Sequence, residues 1–297
     1  ADIDDHRFDL NFTSNGQNQN YPQRDVEGRQ YRIDWGTNFR FAQDSVKIQG
    51  QLSRHKYDVL PEALSIDTRD ELRHSYKITY YHDAGEGLET ETQLRADFNH
   101  LVYLKAARSA DNNWERFFLF SPVVRYRSDA WNQRAQFQVS AKYVDYDFES
   151  SAPPSRVYRK FSADDSLYIS LNPQWGIKIE YLFLLEDRGN LNWNAFIQEL
   201  SDKYRTNDLS LMFMHRWKGL EYGIGWAYYQ RQAYHTDSSG ELVPGSWVES
   251  AGPSATLYGY GPLNMQMELT ASYRGILESV KTRYSQTQID FTLIKML

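Results

Sequence analysis

The chain has 297 residues, no Cys, 22 Tyr, 15 Phe and 8 Trp, and a formal charge of −6. Zero Cys excludes a disulfide scaffold, a thiolate zinc site, a Cys nucleophile and covalent c-type haem, and the acidic balance lacks the basic footprint of a nucleic-acid binder. A mean hydropathy of −0.69 sits beside 41% hydrophobic residues, too many for a disordered chain, and no apolar run approaches the ~20 residues of a membrane helix.

The sequence opens Ala1-Asp2-Ile3 with no basic-apolar leader, which suggests a processed chain or a domain cut from a longer one. The acidic Asp2, Asp4 and Asp5 read as a solvated tail. Period two then dominates. Tyr31, Ile33, Trp35, Phe39 and Phe41 share one face, against Arg32, Asp34, Gly36, Asn38 and Arg40. Such alternation is that of a strand, whose successive side chains point to opposite sides of the sheet. After a break at Gln43-Asp44, Val46, Ile48 and Leu52 oppose Lys47, Gln49, Gln51 and Ser53, which reads as a hairpin.

The pattern returns along the chain. Tyr76, Ile78 and Tyr80 oppose Lys77 and Thr79. Leu88, Leu94, Ala96 and Phe98 oppose Glu89, Glu91, Gln93, Arg95 and Asp97. Phe137, Val139 and Tyr143 oppose Gln136, Ser140 and Lys142. Ile177, Ile179, Tyr181, Phe183 and Leu185 are backed by Lys178, Glu180 and Glu186. Tyr222, Ile224, Trp226 and Tyr228 oppose Glu221, Gly223 and Gly225. Met265, Met267, Leu269, Ala271 and Tyr273 oppose Glu268, Thr270 and Arg274. Ile289, Phe291 and Leu293 oppose Gln288, Asp290 and Thr292.

Long polar connections are expected at Asn15–Gly28, Asp58–Arg69, Glu149–Arg156 and His235–Ser250, with tight ones at Gln43-Asp44 and Asp83–Gly87. Pro22, Pro61, Pro153, Pro154, Pro173, Pro244 and Pro262 fall between runs, where a missing N–H costs no ladder bond. Pro122 and Pro253 suggest a bulge or a strand edge. Leu94 to Val102 also fits helical spacing, Lys105 to Arg108 favours helix, and Asn192 to Leu200 is open between the two. No repeat, low-complexity tract or interdomain linker stands out, so residues 1–297 read as one domain.

Two all-β solutions fit. A soluble sandwich or lipocalin-like barrel points its apolar rows inward; a transmembrane barrel points them at lipid. The runs approach the nine to eleven residues of a tilted membrane strand rather than the five or six of a soluble one. Tyr31, Trp114, Trp131, Tyr143, Trp175, Trp217, Tyr228 and Tyr273 stand at run ends, as in the aromatic girdles of membrane barrels. Closure also removes the edges that long aromatic strands would expose. The expectation is therefore an all-β, antiparallel transmembrane β-barrel of about 14 strands, with 12 to 16 allowed by length.

With its dyad strands, alternating loop sizes and a terminal amphipathic strand Ile289-Asp290-Phe291-Thr292-Leu293-Ile294-Lys295-Met296-Leu297, nearly the whole chain resembles Gram-negative outer-membrane β-barrels. The last strand of that class usually ends in Phe or Trp; this one ends in Leu297. The resemblance implies an outer-membrane location, with outer-membrane lipid and envelope or secretion-complex subunits as partners and no nucleic acid.

If the apolar rows meet lipid, then Trp35, Phe39, Phe137, Val139, Ile179, Phe183, Ile224, Trp226, Leu269 and Phe291 face it. Arg32, Asp34, Arg40, Lys47, Lys77, Glu89, Glu91, Arg95, Asp97, Lys142, Lys178, Glu180, Glu221, Glu268, Arg274 and Asp290 then line the interior. A pore tuned to one ion sign carries a ring of that sign. This balance instead implies a hydrated, weakly selective path, or charges that pair off and fill a narrow closed barrel.

Catalytic patterns are weak. The seven His are scattered without a metal-binding spacing, and no cofactor is expected. His82-Asp83 is similar to the acidic-His sites of outer-membrane proteases, but a turn dipeptide explains it more simply. Ser14-Asn15-Gly16 is similar to the serine motif of outer-membrane phospholipases but has Phe12 where the His should stand, and a loop start explains it better. The expected function is a non-enzymatic outer-membrane pore or translocation channel for polar solutes or a secreted polymer. A structural barrel anchoring or sheathing an envelope, secretion or electron-conduit complex is the alternative, and an outer-membrane hydrolase a further one.

Overall fold

A computed structural model describes residues 5–21, 24–59, 68–148, 154–192, 197–261, 265–279 and 283–295; of residues 5–21, 24–28, 59, 260–261, 265–266, 283, 291 and 293–295 it describes the backbone alone. They form an antiparallel β-barrel of fourteen strands in strict chain order. The strands are β1 (Asp5–Tyr21), β2 (Arg24–Phe41), β3 (Asp44–Val59), β4 (Arg69–Gly85), β5 (Leu88–Tyr103), β6 (Asn113–Arg127), β7 (Trp131–Tyr146), β8 (Arg156–Ser170), β9 (Trp175–Asn192), β10 (Ile197–Trp217), β11 (Leu220–Thr236), β12 (Leu242–Gly261), β13 (Met265–Glu278) and β14 (Arg283–Lys295). Each pairs with its neighbours in sequence, and among the described residues no ladder joins β14 to β1.

The register explains why the alternating runs matter. Directly opposed residues of an antiparallel pair point to the same face, so one apolar position recruits another on the next strand. Ile48, Ile78, Leu94, Phe120, Val139, Phe161 and Leu185 oppose one another in an unbroken row from β3 to β9. Ile177, Phe213, Ile224, Ala255, Ala271 and Ile289 continue it from β9 to β14. A slip of one residue anywhere would break these rows.

The two ends differ. At one, the links are residues 42–43, 86–87, 128–130, 171–174 and 218–219. Glu86-Gly87 and Lys218-Gly219 both have positive φ at each residue, the backbone of a two-residue turn whose twist matches its strands. At the other end the described links are longer: residues 104–112, which hold the 3-10 turn Ala106–Asp111, and residues 237–241.

Several local expectations are corrected. Asn15–Gly28 is not a long connection: β1 and β2 stay paired from Asp5↔Arg40 to Tyr21↔Arg24, so Ser14 lies inside a strand rather than at a loop start. Backbone pairing there runs on without an apolar pattern to announce it. Likewise, the His235–Ser250 link shrinks to residues 237–241, and Pro244 falls inside β12 beside a register shift at Gln232/Tyr234. The first hairpin turns at residues 42–43, and Asp44 already belongs to β3. Leu94–Val102 is strand, because its neighbours supply both ladders. Pro122 and Pro253 sit within strands: each keeps its register with the preceding strand while the ladder to the following one is interrupted. Residues 197–200 are strand, and 193–196 lie outside the described residues.

Glycine has a packing role at Gly50. A Cβ there would stand 2.1 Å from the Trp35 ring, so the indole lies flat across the bare backbone of the neighbouring strand, a known means of covering a strand glycine.

Candidate functional site: the concave wall

The sheet curves, and its two faces are unlike. Side chains from β8 to β13 line a single cavity of about 420 Å³, and side chains from β10 to β14 line a second of about 330 Å³. Walls contributed by strands so far apart require that these residues lie on the concave side. On β11 the contrast can be read within four residues. Ile224 and Trp226 are 66% and 55% exposed, whereas Ala227 behind them is 5% exposed. On β7, Phe137 is 48% exposed and Ser140 only 8%. A soluble protein would bury these aromatic and aliphatic side chains; here they form the outside.

Register and alternation place Trp35, Phe39, Phe137, Val139, Ile179, Phe183, Ile224, Trp226 and Leu269 on the convex face. Phe291 is opposed to Leu269, and its side chain lies outside the described residues. The aromatic residues expected at run ends all belong to this face. Trp114, Trp131, Trp175 and Trp217 stand at or next to strand ends, while Tyr31, Tyr143, Tyr228 and Tyr273 lie further in, because the strands outrun the alternating segments. The sixteen charged residues assigned to the interior, from Arg32 to Asp290, lie on the opposite, concave face.

Two arcs of this concave wall treat charge differently. From β2 to β7 most of the inward acids are held by cations. Arg32 donates to Asp34 at 2.7 Å. Glu71, which is 5% exposed, accepts from Arg69 at 3.1 Å and Arg73 at 2.5 Å. Asp97 accepts from Ser75 at 2.5 Å and pairs with Arg95 at 2.8 Å. Glu91 pairs with Arg125 at 2.9 Å, Glu89 with Arg127 at 3.7 Å and Glu115 with Lys142 at 2.8 Å. Arg134 carries the network to Asp164 of β8 at 3.2 Å and also touches Gln136. These pairs lie across adjacent strands or along one strand, so they fix register as well as neutralise charge.

From β9 to β13 the wall thins. Many of its inward positions are small: Ser210, Gly223, Gly225, Ala227, Ser250, Gly252, Ser254, Thr256, Thr270 and Ser272. Lys178 pairs with Glu180 at 2.8 Å, and Arg216 with Glu221 at 2.5 Å. Asp208 of β10 and Arg274 of β13 are different. Both line both cavities, yet neither makes an ion pair or hydrogen bond among the described residues. The hydroxyls of Ser254 and Thr256, in the wall of the larger cavity, are buried without a partner. Below them toward the tight-turn end, Tyr168, Lys178, Met214, Arg216, Glu221 and Tyr258 surround a further space of about 280 Å³.

Sequence reading reached Lys178, Glu180, Glu221, Glu268 and Arg274 of this arc but missed Asp208, Ser210, Ser254, Thr256 and Tyr258. On β10 the inward Met212 and Met214 make the polar row look apolar. On β12 the run of Gly, Ala, Ser and Pro hides the alternation. The signal for Asp208 was Leu209, Leu211 and Phe213 at every second position after it.

His82 Nδ1 contacts Asp44 at 2.7 Å, and Tyr80 donates to the same carboxylate at 2.8 Å. Tyr80 and His82 lie on the convex face at the tight-turn end, opposed to Thr92 and Thr90. Among the described residues, no three His, Asp or Glu side chains are grouped to hold a metal ion.

No family model matches the chain and no curated protein resembles it in sequence. Among solved structures it is similar to the ferric-catecholate import receptor Fiu from E. coli K12 in its open form. That likeness has a TM-score of 0.52 at 8% identity and covers 98% of this chain and 62% of the receptor chain. The chain thus spans about six tenths of the length of that receptor. At this identity the likeness is one of fold, and it agrees with an outer-membrane β-barrel class.

Proposed function

We propose that this protein is an outer-membrane channel that passes small polar solutes through a hydrated lumen of mixed charge, without covalent chemistry. The observation that carries the reading is the inversion of the two faces. Phe137, Val139, Ile224 and Trp226 stand exposed on the convex side, where hydrocarbon would cover them. A polar cavity with Asp164, Lys178, Glu180, Asp208 and Arg274 in its wall lies on the concave side. The transport role of the structurally similar import receptor supports the same direction. Lipid is then the partner of the convex face, including a shallow apolar groove between Tyr76, Ile78, Phe118 and Phe120.

In this mechanism the wall neither binds ions tightly nor rejects one sign. Acids and cations alternate on it, so a hydrated solute meets fields that largely cancel. Conductance of the purified, folded chain in planar bilayers tests the proposal. Discrete, weakly selective openings are the expected outcome; a folded barrel that conducts at no voltage defeats it.

A further inference from the structure

From the thin arc of the wall we infer a binding station for a small zwitterion, an amino acid or short peptide, whose ammonium group rests on Asp208 and whose carboxylate rests on Arg274. The inference rests on the channel reading, because the station is reached only through a water-filled lumen.

The geometry begins with the register. Asp208 is opposed to Tyr229, Tyr229 to Ser250 and Ser250 to Ile276, two residues along β13 from Arg274. Two strands therefore separate the acid from the cation, and three strand spacings amount to about 14 Å along the sheet. The floor between them is made of Ala227, Ser250 and Gly252, which fill little of the space, with Tyr229 standing directly beside Asp208. A short Asp and a long Arg projecting over such a floor face the same two cavities; they close no ion pair, although the guanidinium's charge is felt at the carboxylate.

Elsewhere on the wall, Asp97, Glu91, Glu89, Glu115 and Glu180 each close on a cation at 3.7 Å or less, although Lys160 and Glu186, directly opposed on β8 and β9, do not. A buried or half-buried charge left open is costly unless something completes it. A zwitterion completes both at once: its ammonium supplies donors to the carboxylate, and its carboxylate accepts the guanidinium fork. The partnerless hydroxyls of Ser254 and Thr256 lie one and two ladder steps further along the same wall. An anion alone would satisfy Arg274 and leave Asp208 repelling it; a cation alone would do the reverse.

The test uses the full chain folded in detergent micelles, with L-alanine, N-acetyl-L-alanine and L-alaninamide as probes in titration calorimetry. Alanine is expected to bind, and each analogue, lacking one charge, to bind about tenfold more weakly. Asp208→Asn should weaken alanine about tenfold and strengthen N-acetylalanine, an anion that Asp208 repels; Arg274→Gln should weaken alanine and strengthen alaninamide, a cation that Arg274 repels. Equal binding of all three probes to the unaltered protein overturns the inference, as does the absence of alanine binding up to about 100 mM. The analogue series needs no variant to fold. Bilayer recordings of the same preparation separate the two claims: conductance without alanine binding removes the station alone, and binding without conductance removes the channel alone.

Discussion

The β2–β7 arc and the β9–β13 arc face the same lumen but use charge for different ends. In the first, Asp34, Glu71, Glu89, Glu91, Asp97 and Glu115 each hold a cation, and Glu71 holds two. In the second, large side chains give way to Gly, Ala, Ser and Thr, and Asp208 and Arg274 stand open over the resulting bay. A paired charge fixes the sheet; an open one is available to a solute. The same residue types thus close ion pairs on one side and stand open over a cavity on the other, and the difference lies in whether a partner is within reach.

The largest expected effect would break the frame in which either arc counts as lumenal. Lys substituted for Ile224 places a cation on the convex face and should cost about 2–4 kcal/mol when the barrel is unfolded from lipid vesicles by denaturant. Ser210→Lys, on the concave side of the adjacent strand, should cost about 1 kcal/mol or less. Equal costs would remove the distinction between the faces.

Next comes the contrast between the arcs themselves. Removing the charge in Glu71→Gln strands Arg69 and Arg73. Those guanidinium groups keep partial access to water, so a loss of about 2 kcal/mol is expected rather than the full cost of a buried unpaired charge. Asp208→Asn strands nothing and should shift stability by about 0.5 kcal/mol or less. Double-mutant cycles sharpen the point. Glu91 and Arg125, at 2.9 Å, should couple by about 0.5–1 kcal/mol, whereas Asp208 and Arg274 should couple by about 0.3 kcal/mol or less in the absence of solute. Strong coupling in the second cycle would turn the bay into one more structural pair.

How much of this contrast was legible beforehand depends on the arc. Strands such as β2, β5 and β7 declare themselves, because a large apolar side chain alternates with a charged one and the dyad period cannot be mistaken. Their outward rows and the barrel class follow from that alone. The bay was hidden by the property that makes it a bay. Gly, Ala and Ser carry little hydrophobic contrast, so β12 has almost no period to read, and Met212 and Met214 blur β10. Neither was the partnering of charges readable. Lys178 and Arg274 both stand in inward rows, but only register across several strands reveals that one is paired and the other open. The β1–β2 ladder from Asn15 to Gly28 failed for a related reason, since backbone pairing continues there through residues whose side chains show no sidedness.

The smallest expected effect concerns the hairpin that floors the bay. Asp237 lies in the β11–β12 link, outside the strands. One of its carboxylate oxygens accepts from the Ser239 N–H at 2.8 Å, the Ser239 hydroxyl at 2.6 Å and the Glu241 N–H at 3.1 Å. The Ser239 hydroxyl, foremost, and then the Glu241 and Ser239 amides hold its carboxyl below the usual value of 3.8. A carboxyl depressed on folding stabilises the turn at pH above its unfolded value, and that contribution fades as pH falls through the folded one. Hydrogen exchange of the Ser239 and Glu241 amides should therefore be slow near neutrality and faster in Asp237→Ala. The difference between the two proteins should shrink in acid. The inward residues Ala227, Tyr229, Ser250 and Gly252 belong to the strands this turn connects, so a looser turn should leave the paired arc untouched while widening the distribution of conductance levels. If exchange across β4–β6 rises equally, the two arcs do not move independently and their contrast is one of composition only.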